Sequence, residues 1–200
     1  MSLPPSLKSW LIDDWDLITR QARLYELPAS QPISNVLSDF LEASEAEISQ
    51  KSESTGETKE ECTSSESQNS QLTTTTTTTT TKLPINAGVR REFVAGIQHF
   101  FNLTIGSHLL YKFERLQYAE LLKHHTDKRM SDIYGSIHLL RLFVKLRDMV
   151  SCVRVDEHSL PMLEASVAEF LRFLQQNESR YFRIEDYSVA TAEYQRRAMC

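Results

Sequence analysis

The chain's 200 residues, 40 % of them apolar and with a net charge of −5, suit one domain with a sizeable core. Residues 42–82 hold eight acids against three bases, a local net of −5 that equals the net of the whole chain, so the remainder is formally neutral. A neutral body excludes the broad basic field of a non-specific nucleic-acid binder, although Arg90-Arg91 or Arg196-Arg197 leave a local basic face open.

In chain order, the first predicted element is a helix with apolar residues at Leu7, Trp10, Leu11, Trp15, Ile18 and Ala22, a spacing of three to four. Asp13, Asp14 and Asp16 are read as early in that helix, where its dipole favours negative charge. Pro28 and Pro32 bracket a turn, and Ile33, Val36, Leu37, Phe40 and Leu41 mark a second helix. From Glu42 to Lys82 the chain is rich in Ser, Thr, Glu and Gln and ends in the homopolymer Thr73–Thr81. Such a composition buries too little apolar surface to offset chain entropy, so a disordered insert is expected. It is read as a passive linker, with a phosphorylation-controlled tether around Ser64 and Ser65 as the alternative; removing 44–80 is expected to leave melting unchanged.

A third helix follows from Val89 to Ile105, with Gly106 as its stop. A fourth carries Leu109 to Leu122. Ser131 is the expected N-cap of a fifth, which runs to Val150 and is apolar on most of its circumference. A helix apolar nearly all round is central or keeps one side for a partner. Asp156 or Ser159 opens a sixth, whose stripe is Leu160, Leu163, Val167, Phe170, Leu171 and Leu174. Weak strand signals lie near 150–155 and 184–189, before a final helical stretch, TAEYQRRA. The fold class is therefore an all-α helical bundle with at most a minor β-hairpin and a long disordered insert. Its parts are 1–41, the insert 42–82, and 83–200.

The chemistry of catalysis is hard to assemble from this sequence. Cys62, Cys152 and Cys200 are odd in number and far apart, which suggests neither disulfides nor zinc. There is no early apolar run and no long uncharged apolar stretch, so the chain is read as intracellular, soluble and without a membrane partner. His124-His125 do not share a helix face, and no His-x3-His pair offers metal ligands. His138 reads as a core histidine bonded to a neighbour. Glu114-Arg115 reads as a buried ion pair or hydrogen-bond anchor. With five glycines there is little material for a phosphate loop. No enzyme activity, cofactor or metal is expected.

Four segments carry a family resemblance: WLIDDWDLITRQ, FFNLTIGSHLLYKFERLQYAE, SDIYGSIHLLRLFVKL and EDYSVATAEYQRRA. In this order they resemble the MRG domain of mortality-factor-related chromatin proteins. The resemblance covers about 1–41 and 85–198, nearly everything outside the insert. It implies an all-helical, non-catalytic docking module in nuclear histone acetyltransferase and deacetylase complexes, acting on histone acetylation, transcription and, as in relatives, DNA repair. Partners would present short segments, often of Phe-x-Leu-Pro type, to a hydrophobic groove. The groove positions of the family fall here on Leu3, Leu11, Ile12, Trp15, Tyr111, Val144 and Lys145. Direct nucleic-acid binding is not expected. Larger members carry a chromodomain that the sequence shows no sign of, which raises a second role as a competitor or assembly regulator for chromodomain-bearing relatives. Leu116 stands where the family commonly has Pro, and Lys145 where Arg is frequent, so a bidentate contact there is lost.

On physical grounds alone, Trp15 and Tyr111 are large rigid faces suited to anchoring an interface. Leu11, Ile12 and Val144 would line the pocket. Lys145 would meet an acidic flank or a backbone carbonyl. Trp10 lies on the Leu7 stripe and is assigned to the core.

Overall fold

The computed structural model describes residues 3–53, 86–125, 127–151 and 159–199. Helix α1 spans Pro5–Thr19, with proline in its first turn, where no N–H is needed. It buries Leu7, Asp14, Leu17 and Ile18 on one face. The helix stops short of Ala22, which adopts φ 50° and turns the chain into β1, Arg23–Tyr25. Because the helix starts at Pro5, Asp13, Asp14 and Asp16 lie in its second half. The helix dipole therefore does not account for them, and Asp14 is a core residue.

Helix α2 spans Ile33–Glu53. Ile33, Val36, Leu37 and Phe40 are buried at helical spacing, and Ser44 continues the same face. The helix thus runs past Leu41 through 42–53, which the sequence assigns to the insert. Ser, Glu, Ala and Gln are polar or small but adequate helix formers, and Glu45 pairs with Arg91 at 2.7 Å. The Thr run, Ser64 and Ser65 lie outside the described residues.

Helix α3, Ala87–Thr104, starts at Asn86, whose side chain accepts the Val89 N–H at 2.8 Å. Gly106 does not stop the chain's helical course. A π-helical turn, Ile105–Leu109, follows directly, and the glycine serves close packing instead: a Cβ there would lie 2.7 Å from the Tyr118 hydroxyl. Tyr111 precedes a 3-10 turn, Lys112–Glu114, and α4 is Arg115–His124, so the fourth helix begins later than Leu109. Ser131 sits in another 3-10 turn, Met130–Asp132, rather than capping a helix. Its backbone N–H bonds the Asn102 side chain of α3 at 2.8 Å.

Helix α5 spans Ser136–Ser151 and α6 spans Ser159–Gln176. Ser151 closes α5, and the rest of the expected 150–155 strand lies outside the described residues. After α7, Glu178–Tyr181, strand β2, Tyr187–Val189, pairs antiparallel with β1 in the register Arg23–Val189, Leu24–Ser188 and Tyr25–Tyr187. The β element therefore joins segments near opposite ends of the chain, in place of a local hairpin. Helix α8 is Ala192–Met199. At the centre of the helices, Phe170 of α6 meets Phe40 of α2, Phe93 of α3 and Phe143 of α5, with ring centroids 5.0–6.1 Å apart. Apart from Val144, the large apolar residues of α5 from Ile137 to Leu146 are buried. Among the described residues, no helix is long and apolar enough to cross a membrane, and no group of three or more His, Cys, Asp or Glu could hold a metal ion.

Candidate functional site

The π-helical turn ends in extended backbone at Leu110 and Tyr111. That change of course carries the chain between α1 and α5, and a concavity of about 380 Å³ opens there. Leu11 of α1 lines it, with His108 to Tyr111 of the turn and Arg141, Val144 and Lys145 of α5. Its volume falls within the roughly 300–1,000 Å³ of small-ligand pockets, and most of its lining side chains are apolar, as is usual for them.

Leu11, Tyr111, Val144 and Lys145 therefore meet in one place. Ile12 and Trp15 are on the same helix as Leu11 but outside the lining, and they are exposed at 65 % and 47 %. Trp15 lies one turn beyond Leu11, on the same helix face. Leu3 is partly buried against the core and is not part of the lining. Trp10 points the other way, stacked on Phe182 at 5.7 Å.

Beneath the concavity lies a buried ionic lattice. Arg141 donates to Asp14 through Nε at 2.8 Å and Nη2 at 2.7 Å. It donates to Glu114 through Nη1 at 2.7 Å and Nη2 at 3.2 Å, and to the Leu109 carbonyl through Nη1 at 3.2 Å. Tyr187 donates its hydroxyl to Asp14 at 2.7 Å, and the Tyr111 N–H donates to Glu114 at 2.9 Å. The guanidinium carbon lies 4.3 Å from the centroid of the Tyr111 ring. Glu114 is thus paired with Arg141 and not with its neighbour Arg115, which is exposed.

His138 sits 3.1 Å from Glu114 through Nε2 and is fully buried. A carboxylate only accepts, so Nε2 carries the proton and Nδ1, which has no partner, is bare. Burial, and then the Arg141 charge, lower the His138 pKa below 6.5. Burial also opposes the charge on Glu114, but Arg141 and His138 prevail and hold its carboxyl at about 2. Burial opposes the Arg141 charge too, yet Glu114 and Asp14 raise its pKa well above the usual guanidinium value. Burial pushes the Tyr111 hydroxyl up to about 12. The lattice is a fixed set of charges that holds the groove-lining turn to α1 and α5.

The groove includes residues the sequence did not single out, namely His108, Leu109, Leu110 and Arg141. Only Arg141 carried a signal, as a lone cation inside an apolar run that would require a buried counter-charge.

The elements and this concavity, walled by the first helix, the π turn and α5, define the class as a mostly helical domain with an open surface cleft. The MRG family model matches residues 1–189, and the chain belongs to that family. It is similar to mortality factor 4-like protein 2 of Homo sapiens, with 37 % identity over 199 residues, covering 100 % of this chain and 58 % of that protein. It is also similar to mortality factor 4-like protein 1 of Rattus norvegicus and of Mus musculus, at 38 % identity over 199 residues, covering 51 % and 46 % of those proteins. The chain thus spans about half the length of the curated relatives it matches.

Proposed function

We propose that this chain is a non-catalytic chromatin adaptor whose groove docks short hydrophobic segments of other subunits. Membership of the MRG family implies a chromatin-associated, non-catalytic, protein-binding role and a place in the nucleus. The finer proposal is that the segments are of Phe-x-Leu-Pro type and belong to histone acetyltransferase and deacetylase complexes, through which the chain influences histone acetylation and transcription. The supporting observation is the meeting of Leu11, Tyr111, Val144 and Lys145, from three separate stretches of sequence, in one open concavity. The exposure of Ile12 and Trp15 on the adjoining helix supports the same role. Binding there is a matter of anchoring apolar side chains in a preformed cleft.

The test is titration of a labelled Phe-x-Leu-Pro peptide into the protein and its Val144→Glu variant, with affinity purification from nuclei and mass spectrometry in parallel. The expected result is saturable binding that Val144→Glu abolishes, and co-purification of acetyltransferase or deacetylase subunits. Equal binding by both proteins refutes the groove assignment.

A further inference from the structure

Two cations line the groove, and they are in opposite chemical states. A guanidinium has five N–H groups, and all five of Arg141 are donated within the protein, to Asp14, Glu114 and the Leu109 carbonyl. Its charge is matched there by two carboxylates, so Arg141 offers a docked segment neither a free donor nor a free charge.

Lys145 lies one helical turn further on, on the same face of α5. It is exposed and has no acid partner among the described residues. Its neighbour Val144 is an exposed apolar side chain at 47 %. His108, across the groove, has Nδ1 engaged with the Ser107 hydroxyl at 2.6 Å. Among the described residues that line it, the groove therefore presents one uncommitted ammonium beside an apolar wall. A single free cation is too little for a phosphate backbone, which needs several, and it suits one carboxylate.

We infer that the groove takes a peptide segment that sets an Asp or Glu beside its apolar anchor, and that Lys145 reads that carboxylate while Arg141 bears on the segment only by positioning Tyr111. The inference rests on the docking role proposed above. Lys145 supplies three donors and a point charge, so the carboxylate needs proximity more than a fixed orientation. Selectivity for an acidic flank is thereby electrostatic and salt-sensitive.

The experiment uses the full chain and three labelled peptides that share a Phe-x-Leu-Pro core and differ only in flanks of Asp, Asn or Lys. Binding is read by fluorescence polarisation. The Asp peptide is expected to bind about two- to fivefold tighter than the Asn peptide at low salt, the range of a solvent-exposed ion pair, and the Lys peptide weakest. The difference should shrink as salt is raised. Lys145→Met should remove the preference, and Lys145→Glu should invert it. Lys145 is exposed, and a circular-dichroism melt of each variant verifies that the fold survives. Equal affinity of the three peptides for the unmodified protein overturns the acidic-flank inference and leaves the docking role standing. A preference that persists in Lys145→Met also overturns it. Failure of every peptide to bind overturns both.

Discussion

Replacing Arg141 with methionine removes the one cation that the buried carboxylates of Asp14 and Glu114 share. Asp14 is 0 % exposed and Glu114 1 %, so neither can turn to water for compensation. Four charge-assisted hydrogen bonds disappear with the bond to the Leu109 carbonyl. Breaking a buried pair from one side costs about 3–5 kcal/mol, mostly for the charge left behind, a large part of a domain's typical stability of about 5–15 kcal/mol. The assay is urea denaturation followed by circular dichroism at pH 7, where a lower midpoint at unchanged slope reports lost stability. Without Arg141, Glu114 becomes a buried acid that prefers to be protonated in the folded state. The cost should therefore shrink between pH 7 and pH 5. Adding Glu114→Gln to Arg141→Met should recover part of the loss. A cost below about 1 kcal/mol at pH 7, or one that grows as the solution is acidified, would refute the lattice as a source of stability.

Acid should destabilise the unmodified protein in two stages. His138 has a pKa depressed below 6.5, so the unfolded chain takes up its proton first, and stability falls as pH drops below about 6.5. Glu114 is held at about 2 against 4.5, so its contribution, on the order of 3 kcal/mol, is present above pH 4.5 and lost between 4.5 and about 2; a flat stability profile from pH 7 to pH 3 excludes both. Trp15→Ala should weaken peptide binding by roughly 30-fold or more, the loss of a hot-spot aromatic of about 2 kcal/mol, while the helical dichroism survives because the ring is half exposed; intact binding removes Trp15 from the docking surface. Gly135→Ala should cost about 1–3 kcal/mol, since its Cβ would lie 2.5 Å from the hydroxyl of Tyr25, a buried ring that is tied to Asp186. Gly96→Ala, with nothing within 4 Å, should instead stabilise α3 by about 0.5–1 kcal/mol; thermal melts that reverse this order would refute the packing described for Gly135.

The helices were legible because their core faces repeat at helical spacing, as with Val36, Leu37 and Phe40 in α2 or Val167, Phe170, Leu171 and Leu174 in α6. The β pair was not. The strands have three residues each and pair across 162 or more positions, too short for a period of two to reveal β1 or the pairing itself. The extension of α2 is hidden for another reason: 42–53 is polar, and such polarity reads as disorder, although Ser44 is buried and Glu45 reaches Arg91. Gly106 misled because a glycine after an apolar run resembles a C-cap. Here its missing side chain makes room for Tyr118, a long-range contact with no local signature.

The groove shows where such reasoning stops and what lies underneath. Leu11, Tyr111, Val144 and Lys145 line the concavity at positions the motif resemblance names; of the residues that hold them together, Glu114 as a buried anchor and His138 as a core histidine bonded to a neighbour were legible, whereas the roles of Asp14 and Tyr187 were not. Yet the lattice draws on each of the four segments that carry the resemblance: Asp14 from the first, Glu114 and the Tyr111 N–H from the second, His138 and Arg141 from the third, and Tyr187 from the fourth. Apolar positions in a core exchange for one another at modest cost when volume is kept. A guanidinium with five committed donors does not, because any change strands a buried carboxylate. The same guanidinium fixes the Tyr111 ring on its face and forms part of the groove's lining. A change that disturbs the lattice therefore disturbs the shape of the groove, so under the docking role proposed above stability and recognition would be coupled through Arg141.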